Sequence, residues 1–160
     1  MTIQHTENVH QSDTKTDLHL IDCDVHHRVP EPDVLFPYLP KHYVEYIQDF
    51  GTMMPSLGHT NMPGKGTRTD LWVGHDKSPI TMAEVARTKH LDVYDVDYAI
   101  LTGGPYAAAV HSNPDYAAAY CRAFNDWTLD HWVATDKRFK MSIHIAPQDP
   151  LLAVEEIKRL

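Results

Sequence analysis

Apolar and polar residues alternate through Leu20-Ile21-Asp22-Cys23-Asp24-Val25-His26, the two-residue period of a strand. The predicted strand runs from Asp17 to Val25. Regular alternation puts Asp22, Asp24 and His26 on one face, and Ile21, Cys23 and Val25 on the other. Pro30, Pro32, Pro37 and Pro40 follow, a density that stops strand and helix alike. Short helical turns fit Asp33–Tyr38 and Lys41–Asp49. From Gly51 to Pro79 no period holds, and a long irregular loop is expected. Helical spacing returns over Thr81 to Leu91, where Thr81 and Glu84 match a capping box and Met82, Val85 and Ala86 share a face. Asp97–Thr102 is a second strand, closed by the turn Gly103-Gly104-Pro105. Asn113-Pro114-Asp115 then starts a long helix. Its apolar stripe is Tyr116, Tyr120, Ala123, Phe124, Trp127 and His131, ending near Ala134. Phe139–Ala146 is a third strand, with Met141, Ile143 and Ile145 on one face and Ser142, His144 and Ala146 on the other. Asp149-Pro150 opens a last helix with Ala153, Val154, Ile157 and Leu160 along one side.

Strands alternating with helices predict an α/β fold built from parallel βαβ units. In such folds the site lies at the C-terminal ends of the strands. Asp24 and His26 sit at that end of the first strand, and His144 near that end of the third. Residues 1–16 read as a flexible polar tail. Residues 17–160 read as one domain carrying the loop at about 51–79. Three parallel strands leave two raw edges, so the expectation is the front part of a longer protein.

The composition narrows the function. The net charge of −8 with neutral histidines opposes binding to nucleic acid or an anionic membrane. A small-molecule substrate is the expected partner. No run approaches the roughly 18 apolar residues of a membrane span and no signal peptide is visible, which predicts a cytoplasmic protein. Two cysteines make no disulfide framework. Cys23 and Cys121 are expected to be buried thiols. Twelve histidines are too many for all to be functional, so position must choose among them.

Three ionisable side chains on one face of an apolar strand need a metal, a hydrogen-bond network or a wet cleft. Carboxylate and imidazole two residues apart suit Zn, Mn or Fe better than Ca or Mg. His27, pointing the other way, is expected in an exposed loop. Arg28 is a candidate to steer a substrate carboxylate, with a surface salt bridge as the reading favoured over it. The long loop starts at the site end of the fold and is positioned to cover it. Trp72 and His75 are its candidate substrate contacts, set against an aromatic pinning the loop and an exposed histidine, and His144 is a further candidate, set against a satisfied core histidine. His131 reads as a packed histidine. Gly64-Lys65-Gly66-Thr67 lacks the spacing and setting of a phosphate loop.

With these residues in hand, Asp22-Cys23-Asp24-Val25-His26 resembles the first-strand Asp-x-His-x-His signature of the amidohydrolase superfamily. It is most similar to the amidohydrolase-related branch that includes aminocarboxymuconate-semialdehyde decarboxylase and gamma-resorcylate decarboxylase, where a carboxylate can fill the first ligand slot. Three further stretches carry the likeness: Leu91 to Leu101, Phe124-Asn125-Asp126-Trp127, and Pro147-Gln148-Asp149-Pro150. Asp95 departs from the pattern, standing where the family often has Gly. The resemblance implies the N-terminal part of a metal-dependent (β/α)8 TIM barrel, truncated after about three βα units. It implies Asp24 and His26 as ligands of Zn or Mn, completed by a His and an Asp from later strands, and Asp22 as a residue fixing a ligand from behind. It further implies a hydrolase or decarboxylase acting on a small cyclic or aromatic carboxylate, or on a hydrolysable amide, ester or lactone. A homodimeric full-length enzyme is a further expectation, with the isolated 160 residues inactive. Two readings from other classes stand beside it: a non-catalytic fragment or interaction partner of such an enzyme, and a His-rich metal-binding module.

Overall fold

The computed structural model describes residues 19–55, 72–73, 78–79 and 83–160. The tail at 1–16, the Gly64–Thr67 run, His75, Thr81 and Met82 lie outside the described residues.

Three short strands form a parallel sheet in the order β1 (Ile21–Val25), β4 (Tyr98–Leu101), β5 (Phe139–Met141). A 3-10 segment (Pro32–Tyr38) and α1 (Lys41–Phe50) follow β1, as the proline spacing predicts. Within the expected loop, β2 (Trp72–Val73) and β3 (Ser78–Pro79) pair as an antiparallel ribbon. The next helix is α2 (Ala83–Ala86), a π turn (Arg87–Leu91) and α3 (Asp92–Tyr94). It stops at Asp95, whose φ of +53° is left-handed. That conformation suits glycine best, and Asp tolerates it better than most residues. The departure at 95 thus keeps the backbone shape.

Helix α4 (Pro114–His131) begins where the sequence puts it: Asn113 accepts the Tyr116 N–H at 3.1 Å. Its stripe of Tyr116, Tyr120, Ala123, Phe124 and Trp127 is buried against the sheet and the 3-10 segment, with Leu35, Ala99, Leu101 and Phe139. His131 is a correction. The helix ends there, and its ring is exposed, lying 5.8 Å from Trp127. Helix α5 (Pro150–Arg159) is capped by Asp149, which accepts from Leu151 and Leu152. Its inner face differs from the expected one. Ala153 and Glu156 point inward, while Val154 and Ile157 are half exposed. Glu156 is drawn in by the Asn125 amide at 2.8 Å and by Arg159 at 2.7 Å. Of these, the bond to Asn125 on α4 ties the rotation of α5 to its neighbour.

The third strand is shorter than the alternation predicts. Backbone pairing ends with Ser142 N–H on Leu101 C=O. Beyond it the buried Asn125 side chain replaces a neighbouring strand, accepting the His144 N–H at 2.9 Å and donating to its C=O at 2.8 Å. Among the described residues, no helix is long and apolar enough to cross a membrane.

Candidate active site at the strand ends

The register of β1 decides which side chains meet. Ile21 pairs with Tyr98, Asp22 with Ala99, and Val25 with Leu101. Three steps along β1 match two along β4, so β1 carries one extra residue, a bulge. Such an insertion moves everything beyond it to the opposite face. Asp22 therefore shares the helix-covered side with Ala99, Val25 and Leu101. Asp24 and His26 lie on the open side. The expected three-residue face does not exist, because the alternation assumed an unbulged strand. Cys23 is likewise exposed, not buried, since β1 is an edge strand interrupted at that point. Cys121 is buried as expected, and burial pushes its thiol up to about 12.

On the open face, His26 Nε2 lies 3.0 Å from Asp24 Oδ1. Thr102, just past the end of β4, donates to the same oxygen at 2.7 Å. The Thr102 hydrogen bond, then the neighbouring His26, hold the Asp24 carboxyl below its usual range. Tyr106 closes this side. Its hydroxyl donates to the Thr102 carbonyl, and its ring stands 6.2 Å from His26 and 6.3 Å from His144. Burial, then the charge of Asp24, raise the Tyr106 phenol. Thus Asp24, His26, Thr102, Tyr106 and His144 converge at the C-terminal ends of all three parallel strands.

Two glycines make that convergence possible. A Cβ on Gly103 would collide with the His27 backbone, and one on Gly104 with the His144 ring at Nε2. His144 packs edge-on to Phe124 at 5.0 Å, and burial lowers its basicity. Its Nδ1 is buried and without a partner among the described residues.

His27 corrects a second expectation. It is 1% exposed, sharing a hydrogen bond with Thr128 at 2.9 Å and packed among Phe124, Trp127 and Trp132. Burial, with the nearby His144 and His26, pushes its pKa down to about 3. The ring is a neutral core group. Turning away from the open face directs it into the helix layer rather than to solvent. Arg28 is half-buried and makes no hydrogen bond or ion pair among the described residues. Asp22 sits behind the sheet, accepting the Asp24 N–H at 3.0 Å and a bond from His90 Nε2 at 2.7 Å.

Thr102, Tyr106 and His90 are the residues that sequence reasoning passed over. Thr102 and Tyr106 flank the sharp Gly103-Gly104-Pro105 turn at a strand's C-terminal end, which is where a site loop belongs. His90 carries no local signal, because only the bulge and the π turn bring it to Asp22.

A family model described as amidohydrolase matches residues 21–160. The chain belongs to the amidohydrolase family. The match spans all three parallel strands and every residue of the strand-end cluster. A search of curated proteins finds no match. Membership brings a hydrolase-type function, in a family that is typically metal-dependent. The mixed α/β structure with its small parallel sheet is consistent with part of an amidohydrolase domain.

The donor set can be tested against a cation directly. Two ligands about 2.1 Å from one ion, at 90–109°, stand roughly 3.0–3.4 Å apart. The Asp24–His26 spacing of 3.0 Å meets this, on an open face, with mixed oxygen and nitrogen donors. No group of three or more His, Cys, Asp or Glu is arranged around an ion among the described residues. The pair offers two donors, where a closed structural zinc site takes four.

Proposed function

We propose that Asp24 and His26 are two ligands of a divalent cation, Zn or Mn, in an enzyme of the amidohydrolase-related decarboxylase branch. Its reaction is decarboxylation of a small cyclic or aromatic carboxylate, or hydrolysis of an amide, ester or lactone, with decarboxylation favoured by the carboxylate in the first ligand slot. The observation that carries this reading is the 3.0 Å approach of Asp24 Oδ1 to His26 Nε2 at the C-terminal end of β1. The sheet is read as the opening strands of a (β/α)8 barrel. Both outer edges lack a strand partner among the described residues, and the half-exposed Val154 and Ile157 suit a further helix.

When bound, the cation supplies Lewis acidity toward a substrate oxygen or a water molecule. The protein's share is positional. Thr102 fixes one Asp24 oxygen, so the carboxylate presents a defined face. Tyr106 walls the cluster, and the His144 ring, packed against Gly104 and Phe124, bounds it beyond the third strand. Arg28 lies two residues beyond His26 and is assigned to an anionic substrate group.

The deciding experiment measures metal content in the full-length native protein and in its Asp24→Ala and His26→Ala variants. About one divalent ion per site is expected in the wild type, and loss of it in both variants. Metal content unchanged by either substitution would remove β1 from the site. A wild type without metal would overturn the metal reading altogether.

A further inference from the structure

We propose that His90 is a positioning residue for Asp24, acting through Asp22 from the opposite side of the sheet. The inference rests on the reading of Asp24 as a metal ligand. It starts from the bulge. Beyond the extra residue, the direction of Asp24 depends on how the β1 backbone is held locally rather than on ladder pairing alone. That hold is the Asp22 carboxylate, whose Oδ1 accepts the Asp24 N–H at 3.0 Å.

One hydrogen bond leaves a carboxylate free to swing about its own side-chain torsions. The second oxygen of Asp22 is pinned by His90 Nε2 at 2.7 Å, within the short range of charge-assisted bonds. Two-point attachment fixes the carboxylate plane, and through it the Asp24 amide. Both partners are about one-third exposed, at 31% and 37%, so water competes only in part.

His90 reaches Asp22 because it lies in the π turn Arg87–Leu91. Such a turn inserts one residue into a helix, and such insertions occur frequently at functional sites. Each residue of an α-helix turns the face by about 100°. A regular helix here would aim position 90 elsewhere. The ring is steadied from the next turn by Tyr94, edge-on at 5.5 Å. Asp22 and His90 lie behind the sheet, so the pair acts on Asp24 alone and touches no substrate.

The test uses the full-length native protein with two readouts: Mn2+ affinity by electron paramagnetic resonance, and site-resolved exchange of the Asp24 amide in metal-free protein. In His90→Ala, Mn2+ binding weakens about tenfold or more, the usual effect of removing a residue that orients a ligand. Asp24 amide exchange accelerates by a similar factor, roughly tenfold, as local protection is lost. His90→Gln places an amide N–H near the Nε2 position and restores most of both, which a purely structural role would not require. If His90→Ala fails to fold, Asp22→Ala replaces it, with the same two changes expected. Unchanged affinity and exchange in the folded variant overturn the proposal. A wild type that binds neither Mn2+ nor Zn2+ overturns the metal reading instead, while Asp24 exchange still decides whether His90 positions it.

Discussion

Asn125→Ala tests the account of how His144 is held. The Asn125 side chain is fully buried and makes three hydrogen bonds, two to the His144 backbone and one to Glu156. Each bond contributes roughly 1 kcal/mol net, and partly buried groups left without partners add to the loss. Glu156 retains Arg159, so most of the penalty falls on the His144 N–H and C=O. The total is about 3–5 kcal/mol, a large share of the roughly 5–15 kcal/mol that holds a domain together. With a urea slope near 2 kcal/mol/M, the unfolding midpoint should fall by about 1.5–2.5 M. The buried Trp127 and Trp132 provide the fluorescence signal. Asn125→Asp keeps an acceptor for the His144 N–H but loses both donors and sets a carboxylate against Glu156. It should be at least as destabilised at neutral pH. A midpoint shift below about 0.5 M for Asn125→Ala would refute the idea that this side chain stands in for a strand.

Other consequences are quicker to check. Gly104→Ala drives a methyl group into the His144 ring, and thermal melting should report a loss of about 1–3 kcal/mol. His27 has its folded pKa depressed from 6.5 to about 3, so between those values the unfolded chain binds the extra proton. Stability is therefore full above about pH 6.5 and falls as pH drops, by up to about 1.4 kcal/mol per unit. The lowered basicity of half-buried His144 acts in the same direction. Urea midpoints of wild type and His27→Asn at pH 7 and pH 5 should show a weaker pH dependence in the variant, and equal dependence would argue against a neutral buried ring. Of the two cysteines, Cys23 should react with a thiol reagent in the native protein while Cys121 reacts only on unfolding; two rapidly reacting thiols would contradict the packing.

Much of the layout is visible in the sequence because local chemistry dictates it. Asn113 and Asp149 announce their helices by capping, and Tyr116 to Trp127 repeat at the interval a buried helix face requires. The end of β1 is readable as a candidate site because polar residues there follow an apolar strand. What escaped was decided by geometry between distant segments. The bulge that sends Asp22 behind the sheet is set by pairing with β4, and no residue type marks it. His27 looked like a loop residue until Thr128 and three aromatic rings enclosed it. On α5, hydrophobicity favoured Val154 and Ile157, whereas the structure turns Glu156 inward to meet Asn125. Asn125 belonged to a quoted family stretch, but its work on the His144 backbone appears only when α4 crosses β5.

The pairing of β1 with β4 also has a consequence in time. Ile21 meets Tyr98, 77 positions later in the chain. During synthesis at about 5–20 residues per second, roughly 4–15 seconds pass between the two emerging from the ribosome. Throughout that interval Val25 has no Leu101 beside it, and Asp24 has no Thr102. The segment carrying the proposed ligands is thus made well before the residues that set it, so their geometry is inherited from a sheet that must form around them.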